Sequence, residues 1–98
     1  MISIGMSTSC VYPLPTESAF RLARDAGFDG IEVMVTNDPV TQDAAALLYL
    51  SKTYGLPILS IHAPVLLLTQ LVWGTNPVRK LERSAELAAT LGASTVVV

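Results

Sequence analysis

The sequence predicts an α/β fold in which a parallel sheet is built in the order β-α-β-α-β-α-β. Three predicted helices of 11 to 15 residues alternate with short apolar strands. Each helix ends at a glycine, and four residues later a strand is under way each time: Gly27 to Ile31, Gly55 to Leu59 and Gly92 to Val96. Such alternation requires parallel strands that are joined by right-handed crossovers.

The elements follow from local signals along the chain. Thr16 and Thr41 are predicted to cap the first and second helices, and Asn76 with Pro77 opens the third. The predicted strands are about 2–6, 30–34, 58–62 and 94–98, and the predicted helices are about 16–26, 41–54 and 77–91.

The third helix shows an apolar stripe that we expect to face the sheet. That stripe consists of Val78, Leu81, Ala85, Ala88 and Leu91. The charged residues Arg79, Lys80, Glu82, Arg83 and Glu86 are expected on the opposite, solvated face.

The length and the composition of the chain limit the architectures that it can form. Residues 1–98 form one domain at most, or part of one. The hydrophobic fraction is 51% and the charged fraction is 14%, against about 25% charged in an average soluble domain. The chain is therefore apolar for a small protein that must cover its own surface.

Charge and patterning exclude some classes of partner. The net charge of −2 comes with scattered Lys and Arg, so no basic stripe predicts nucleic-acid binding. No apolar run reaches the ~18 residues of a membrane span, and the N-terminus lacks a secretory pattern. The single cysteine, Cys10, permits no internal disulfide. We therefore expect a cytoplasmic protein without a membrane partner.

Two residues are candidates for the functional site. His62 is the only histidine and ends the strand Ile58-Leu59-Ser60-Ile61-His62, before Pro64. Ligands and metals sit at the carboxyl ends of parallel strands, so His62 is positioned to ligate a metal or move a proton. A packed, hydrogen-bonded histidine is the alternative.

Glu32 lies within an apolar strand, where an unpaired carboxylate is costly. It is therefore either functional or held by a polar group of a neighbouring strand. Alignment on the helix-ending glycines makes Glu32 equivalent to Ser60 and Val97, and Met34 equivalent to His62. The side-chain period of two then places Glu32 and His62 on corresponding faces.

The motifs together resemble a known family. They are Ile4-Gly5-Met6-Ser7, Gly27-Phe28-Asp29-Gly30-Ile31-Glu32-Val33, Ser60-Ile61-His62-Ala63-Pro64 and the closing segment from Leu91 to Val98. This combination is similar to the xylose isomerase-like TIM barrels, which include sugar phosphate isomerases/epimerases and endonuclease IV. The resemblance covers the whole chain but only the first half of the barrel.

The resemblance implies a function for the intact relative. It would be a sugar phosphate isomerase/epimerase that moves a proton next to a carbonyl of a small sugar or polyol, assisted by a divalent metal (Zn, Mn or Mg). Glu32 would line the pocket. His62 would be a metal ligand, as in endonuclease IV-like members, whereas in sugar-epimerising members that position more often lies beside the substrate. Because two ligands do not complete a metal site, we expect this chain alone to bind no metal tightly and to be inactive, as a fragment or truncated form.

Two alternatives stay open. One is an endonuclease IV-like zinc phosphodiesterase fragment, although the loops 7–15, 35–40 and 63–75 carry no Lys or Arg. The other is a non-catalytic half-barrel assembly module, because exposed edge strands favour self-association or pairing with the missing C-terminal half. The loop 63–75 is expected to pack by its apolar residues around Trp73, with a lid over a sugar as the alternative.

Overall fold

The computed structural model describes residues 2–66 and 69–98 and shows four parallel strands that alternate with three α-helices. The strands are β1 (Gly5–Ser7), β2 (Gly30–Met34), β3 (Ile58–His62) and β4 (Thr95–Val97), and the helices are α1 (Thr16–Ala26), α2 (Ala44–Tyr54) and α3 (Pro77–Leu91). The sheet order is β1-β2-β3-β4, so neighbours in sequence are neighbours in the sheet. The predicted βαβαβαβ unit, the first half of a TIM barrel, is confirmed.

The sheet register matches the prediction between β2 and β3 but not at β4. Glu32 pairs with Ser60, and Met34 pairs with His62, as predicted. Val97 pairs with His62 rather than with Ser60, whose partner is Thr95. The alignment on glycines was wrong at β4 because strands that curve toward a barrel are staggered along one another. Equal spacing from each preceding helix therefore does not give equal register.

The helices cover one face of the sheet, and the core lies between them. Alternate strand residues that point toward the helices are fully buried, among them Ile31, Val33 and Ile61. Phe20 of α1 and Leu47 of α2 are fully buried against them. Residues on the other face of the sheet, such as Glu32 and His62, are only half-buried.

Of the apolar stripe predicted for α3, Ala88 is buried and Leu91 packs against the core, but the rest of the predicted inner face was wrong. The buried residues of this helix are Lys80, Ser84, Leu87 and Ala88, which follow the 3.6-residue period, while Val78 and Leu81 are 59% and 40% exposed. The helix is rotated because Lys80 and Ser84 bury their polar atoms in hydrogen bonds to carbonyl oxygens. The apolar pattern of the sequence alone does not show that a lysine and a serine can be buried in this way.

Three local features also differ from the predictions. β1 begins at Gly5 rather than at residue 2. Thr16 is the first helical residue of α1 rather than its cap, and the N-cap Pro15 offers no side-chain hydrogen bond. Thr41 lies in a short 3-10 helix, Pro39–Gln42, so α2 begins at Ala44 and is capped by Asp43, which accepts from Ala46 N.

Gly30 permits an unusually close approach of two strands. A Cβ atom on Gly30 would lie 2.7 Å from both Leu59 Cγ and the Pro57 carbonyl oxygen. The pairing of β2 with β3 shifts register next to this point, between Ile31 and Glu32. A glycine is therefore required where the two strands adjust their pairing.

The edges of the half-barrel are apolar and exposed. Ile2 and Ile4, which precede β1, are 85% and 61% exposed, and Val98, after β4, is 72% exposed. Within the described residues, no helix is long and apolar enough to cross a membrane.

We expect the isolated 98-residue chain to self-associate, because both edge strands leave backbone groups and apolar side chains without a neighbour. Sedimentation velocity over a range of concentrations measures this directly. A single monomeric species with cooperative thermal unfolding would contradict the expectation.

The substitution Gly30→Ala is expected to destabilise the chain by about 1–3 kcal/mol, because the new methyl group meets a backbone oxygen that cannot move aside. Gly5→Ala is a milder control. A Cβ atom on Gly5 would lie 3.5 Å from the nearest backbone atom, and the one closer atom is a flexible Leu59 methyl group. Urea unfolding should show the larger loss for Gly30→Ala. Equal losses would show that the close approach does not constrain the strands.

Candidate functional site

Two predicted site residues lie on the helix-free face of the sheet, at neighbouring positions. Glu32 and Ser60 are opposite one another on β2 and β3, and Ser60 Oγ donates a 2.7 Å hydrogen bond to Glu32 Oε1. His62 follows Ser60 by two residues and therefore projects from the same face. The structure thus places a carboxylate and a hydroxyl at the middle of two adjacent strands, and an imidazole at the carboxyl end of one of them, on the same face.

The Glu32–Ser60 contact has a chemical consequence. The Ser60 hydroxyl fixes the orientation of the Glu32 carboxylate by donating to its Oε1. Glu32 is half-buried, and its Oε1 is the oxygen that accepts from Ser60. This arrangement suits a base or an acceptor for a sugar hydroxyl.

His62 is held by its own strand end. Its Nδ1 lies 2.9 Å from the carbonyl oxygen of Ala63. Because that oxygen can only accept, Nδ1 carries the hydrogen in this geometry, and Nε2 is the atom left to act on a ligand. The structure has features of both hypotheses for His62. As for a packed histidine, the side chain is half-buried and hydrogen-bonded. As for a functional histidine, one ring nitrogen has no hydrogen-bond partner within the described residues.

The donors of this face do not fit a divalent metal by themselves. Among residues 2–66 and 69–98 there is no group of three or more His, Cys, Asp or Glu side chains that could hold a metal ion. Structural and catalytic metal sites use three or four protein ligands. The role of His62 as a metal ligand stays a prediction, and this chain does not supply a complete ligand set.

A cavity of about 420 Å³ lies between the loops that follow β1 and β2, and Glu32, Ser60 and His62 are not among its lining residues. Met34, two residues after Glu32 and opposite His62 in the sheet, contributes to its wall. The remaining wall is mostly polar or aromatic and consists of Thr8, Ser9, Tyr12, Pro13, Leu14, Pro15, Thr16, Thr36, Asn37, Asp38 and Thr41. The volume is within the usual range for a small-molecule site.

Asp38 organises the two loops around this cavity. Its Oδ2 accepts from Thr16 Oγ1 at 2.7 Å and from Thr16 N at 3.1 Å, and its Oδ1 accepts from Val40 N. Asp38 thereby caps both α1, from another loop, and its own 3-10 helix. Partial burial raises the pKa of Asp38, but the hydrogen bonds from Thr16 and Val40 outweigh it and leave the pKa below its ordinary value.

A second set of hydrogen bonds joins the loops after β2 and β3. The Trp73 indole Nε1 donates to Gln42 Oε1 at 3.1 Å, and Gln42 Nε2 donates to the Thr36 carbonyl oxygen at 2.8 Å. The Arg83 guanidinium lies 4.5 Å from the centre of the Trp73 ring. Trp73 thus connects neighbouring loops by polar contacts as well as by packing, whereas Leu67 and Leu68 of the same loop lie outside the described residues.

Sequence reasoning missed the structural role of Asp38. The available signal was Asn37-Asp38-Pro39, a turn-forming pattern in which an aspartate side chain commonly accepts from a backbone N–H two residues later. That pattern explains the contact with Val40. The contact with Thr16 spans 22 residues in sequence and could not be read from local pattern.

Curated proteins are similar to this chain over all or nearly all of its length. An uncharacterized protein of Mycobacterium leprae is 54% identical over 98 residues, and an uncharacterized protein of Mycobacterium tuberculosis is 53% identical over 97 residues. The chain spans about a third of the length of these relatives, 35% in each case. No family model matches the chain.

One solved structure is similar over the entire chain. It is the apo crystal structure of the 3-keto-D-glucoside 4-epimerase YcjR from E. coli, with a TM-score of 0.70 and 22% sequence identity. The match covers 100% of this chain and 38% of that one. At this level of identity the likeness establishes the fold.

The substitution Asp38→Ala is expected to cost about 1–2 kcal/mol of stability at neutral pH, as removal of a helix cap commonly does. Because the folded pKa of Asp38 lies below its unfolded value, its contribution is present above the unfolded pKa and is lost as pH falls through the folded pKa. Urea unfolding of the variant should therefore depend less on pH than that of the parent chain in the acidic range below about pH 5.

Asp25→Ala is the matched control, since Asp25 is an exposed carboxylate whose partner is the neighbouring Arg24. It should change stability by no more than about 0.5 kcal/mol. An Asp38→Ala effect as small as that of the control would show that the contact with Thr16 contributes nothing to stability.

Proposed function

We propose that this chain forms the first half of a sugar isomerase/epimerase of the xylose isomerase-like TIM barrel kind, in which a proton is moved next to a sugar carbonyl. The observation that carries the proposal is the Glu32–Ser60 hydrogen bond on the helix-free face, with His62 beside it. The likeness in fold to a 3-keto-D-glucoside 4-epimerase supports the same class of substrate.

In the proposed reaction Glu32 acts as the base. Its ionised form, held by Ser60, accepts the proton from the carbon next to the carbonyl. Inversion then requires an acid on the opposite face of that carbon, supplied from outside this chain, to donate a proton there. Glu32 is exposed enough to meet a substrate and buried enough to be kept in one orientation. Ser60 is then a positioning residue, since it touches the carboxylate rather than the sugar.

His62 supports the developing negative charge in this proposal. With Nδ1 committed to the Ala63 carbonyl, Nε2 is the ring nitrogen that can donate to the carbonyl oxygen of the sugar when the ring is protonated. No step is assigned to a metal, because the described residues of this chain do not make a ligand set. A divalent metal would have to draw further ligands from outside this chain.

The cavity beside Met34 is the proposed place for the part of the sugar that does not react. The Tyr12 ring is 48% exposed and offers a flat apolar face, while Ser9 and Asn37 offer a hydroxyl and an amide for sugar hydroxyls. Sugars combine apolar C–H faces with many hydroxyls, so this mixture of groups fits them. Both a sugar phosphate and a neutral glycoside belong to the class of substrate proposed.

The endonuclease-like alternative is less well supported. The loops at the carboxyl ends of the first three strands, residues 8–15, 35–43 and 63–76, contain no Lys or Arg. A DNA phosphodiesterase needs basic groups near the backbone phosphates of its substrate.

Deuterium incorporation from D₂O tests the proposal. The assay uses the intact protein that contains this sequence. With a 3-keto-D-glucoside or a ketose phosphate, we expect exchange of the proton next to the carbonyl, and the substrate that exchanges distinguishes the glycoside from the sugar phosphate. Glu32→Gln should slow the exchange by about 10²–10⁴-fold, because Gln accepts the Ser60 hydrogen bond but cannot take the proton.

Glu82→Gln is the matched control, since Glu82 is exposed on α3 and should leave the exchange rate unchanged. Mass spectrometry of the recovered sugar gives the rate. Exchange that Glu32→Gln does not slow would remove Glu32 from the reaction, and no exchange with either substrate would contradict the proposed function.

A further inference from the structure

A buried lysine lies outside the proposed reaction site. Lys80, in the first turns of α3, is 4% exposed. It belongs to the helix layer, whereas Glu32 and His62 lie on the opposite face of the sheet. Lysine is almost never buried to this extent without a partner for its charge.

The ammonium group of Lys80 is held by neutral groups. Its Nζ donates to the Pro64 carbonyl oxygen at 2.8 Å and also to the Gln70 carbonyl oxygen. Within residues 2–66 and 69–98 the one ion pair is Arg24 with Asp25, so no carboxylate of the described chain neutralises Lys80. Since a buried charge is stabilised most by an opposite charge, this position favours an anion.

A cavity of about 420 Å³ opens beside this lysine. It is lined by Lys80 together with Val65, Gln70, Leu71, Thr75 and Pro77. The Thr75 hydroxyl and the Gln70 side-chain amide form no hydrogen bond with other described residues, so both can donate to a ligand.

From the cavity, the buried ammonium and the two free donors, we infer that this pocket binds a small oxyanion, a phosphate or carboxylate group, through Lys80, Thr75 and Gln70. The ligand would reach the ammonium from the cavity, while the carbonyl oxygens of Pro64 and Gln70 keep the lysine in place. The volume exceeds that of a single phosphate, so the anion is either free or one end of a larger molecule. This site is separate from the proposed sugar reaction and does not depend on it.

Calorimetric titration of the intact protein that contains this sequence with inorganic phosphate, at constant ionic strength set by chloride, tests the inference. We expect saturable binding. Lys80→Met should weaken binding by about tenfold or more, because a hydrogen bond to a charged group is lost. Lys52→Met, at an exposed lysine in the last turn of α2, should leave it unchanged.

Thr75→Val keeps the inference testable if Lys80→Met does not fold. This variant removes one hydroxyl at an exposed position and should weaken phosphate binding several-fold without changing stability. A parallel titration with D-glucose 6-phosphate separates the two sources: tighter binding than inorganic phosphate indicates an anion carried by a larger molecule, and equal binding indicates the free ion.

Two results would overturn the inference. One is the absence of saturable binding by either phosphate compound. The other is binding that both Thr75→Val and a folded Lys80→Met leave unchanged, or that Lys52→Met weakens as much as Lys80→Met does.

Discussion

The pairing of β2 with β3 is the constraint on which the candidate site depends. Ile31 pairs with Ile58, but the next residue, Glu32, pairs with Ser60 rather than with Leu59. Without the register shift between them, a leucine would stand opposite the carboxylate in place of a hydroxyl donor. Gly30 makes the shift possible, since a side chain there would collide with Leu59 and with the Pro57 carbonyl oxygen. One irregularity in the sheet therefore creates the polar pair.

The loops at the carboxyl ends of the strands are joined to one another by hydrogen bonds. Asp38 connects the loop after β2 to the start of α1, and Gln42 connects the same loop to Trp73 in the loop after β3. Such contacts hold the walls of the cavity beside Met34 in place. A site held in this way loses less conformational entropy when it binds a ligand.

Much of the fold could be predicted because its signals are local. The glycines that end the helices and the apolar strands between them determine the order of elements, and the pairing of Glu32 with Ser60 followed from their spacing. The rotation of α3 could not be predicted, because Val78 and Leu81 look like core residues and Lys80 looks solvated. Only the carbonyl oxygens of a folded loop show that burial of Lys80 is compensated. The contact between Asp38 and Thr16 could likewise not be predicted, because the two residues are 22 positions apart in the sequence.

We propose that a sugar binds on the helix-free face at Glu32, Ser60 and His62, with its remainder in the cavity beside Met34. A crystal structure of the intact protein that contains this sequence, soaked with a ketosugar, measures this directly. We expect the sugar within hydrogen-bond distance of the Glu32 carboxylate and of His62 Nε2. Sugar bound elsewhere, with no contact to the Glu32–Ser60 pair, would show that this face is not the sugar site.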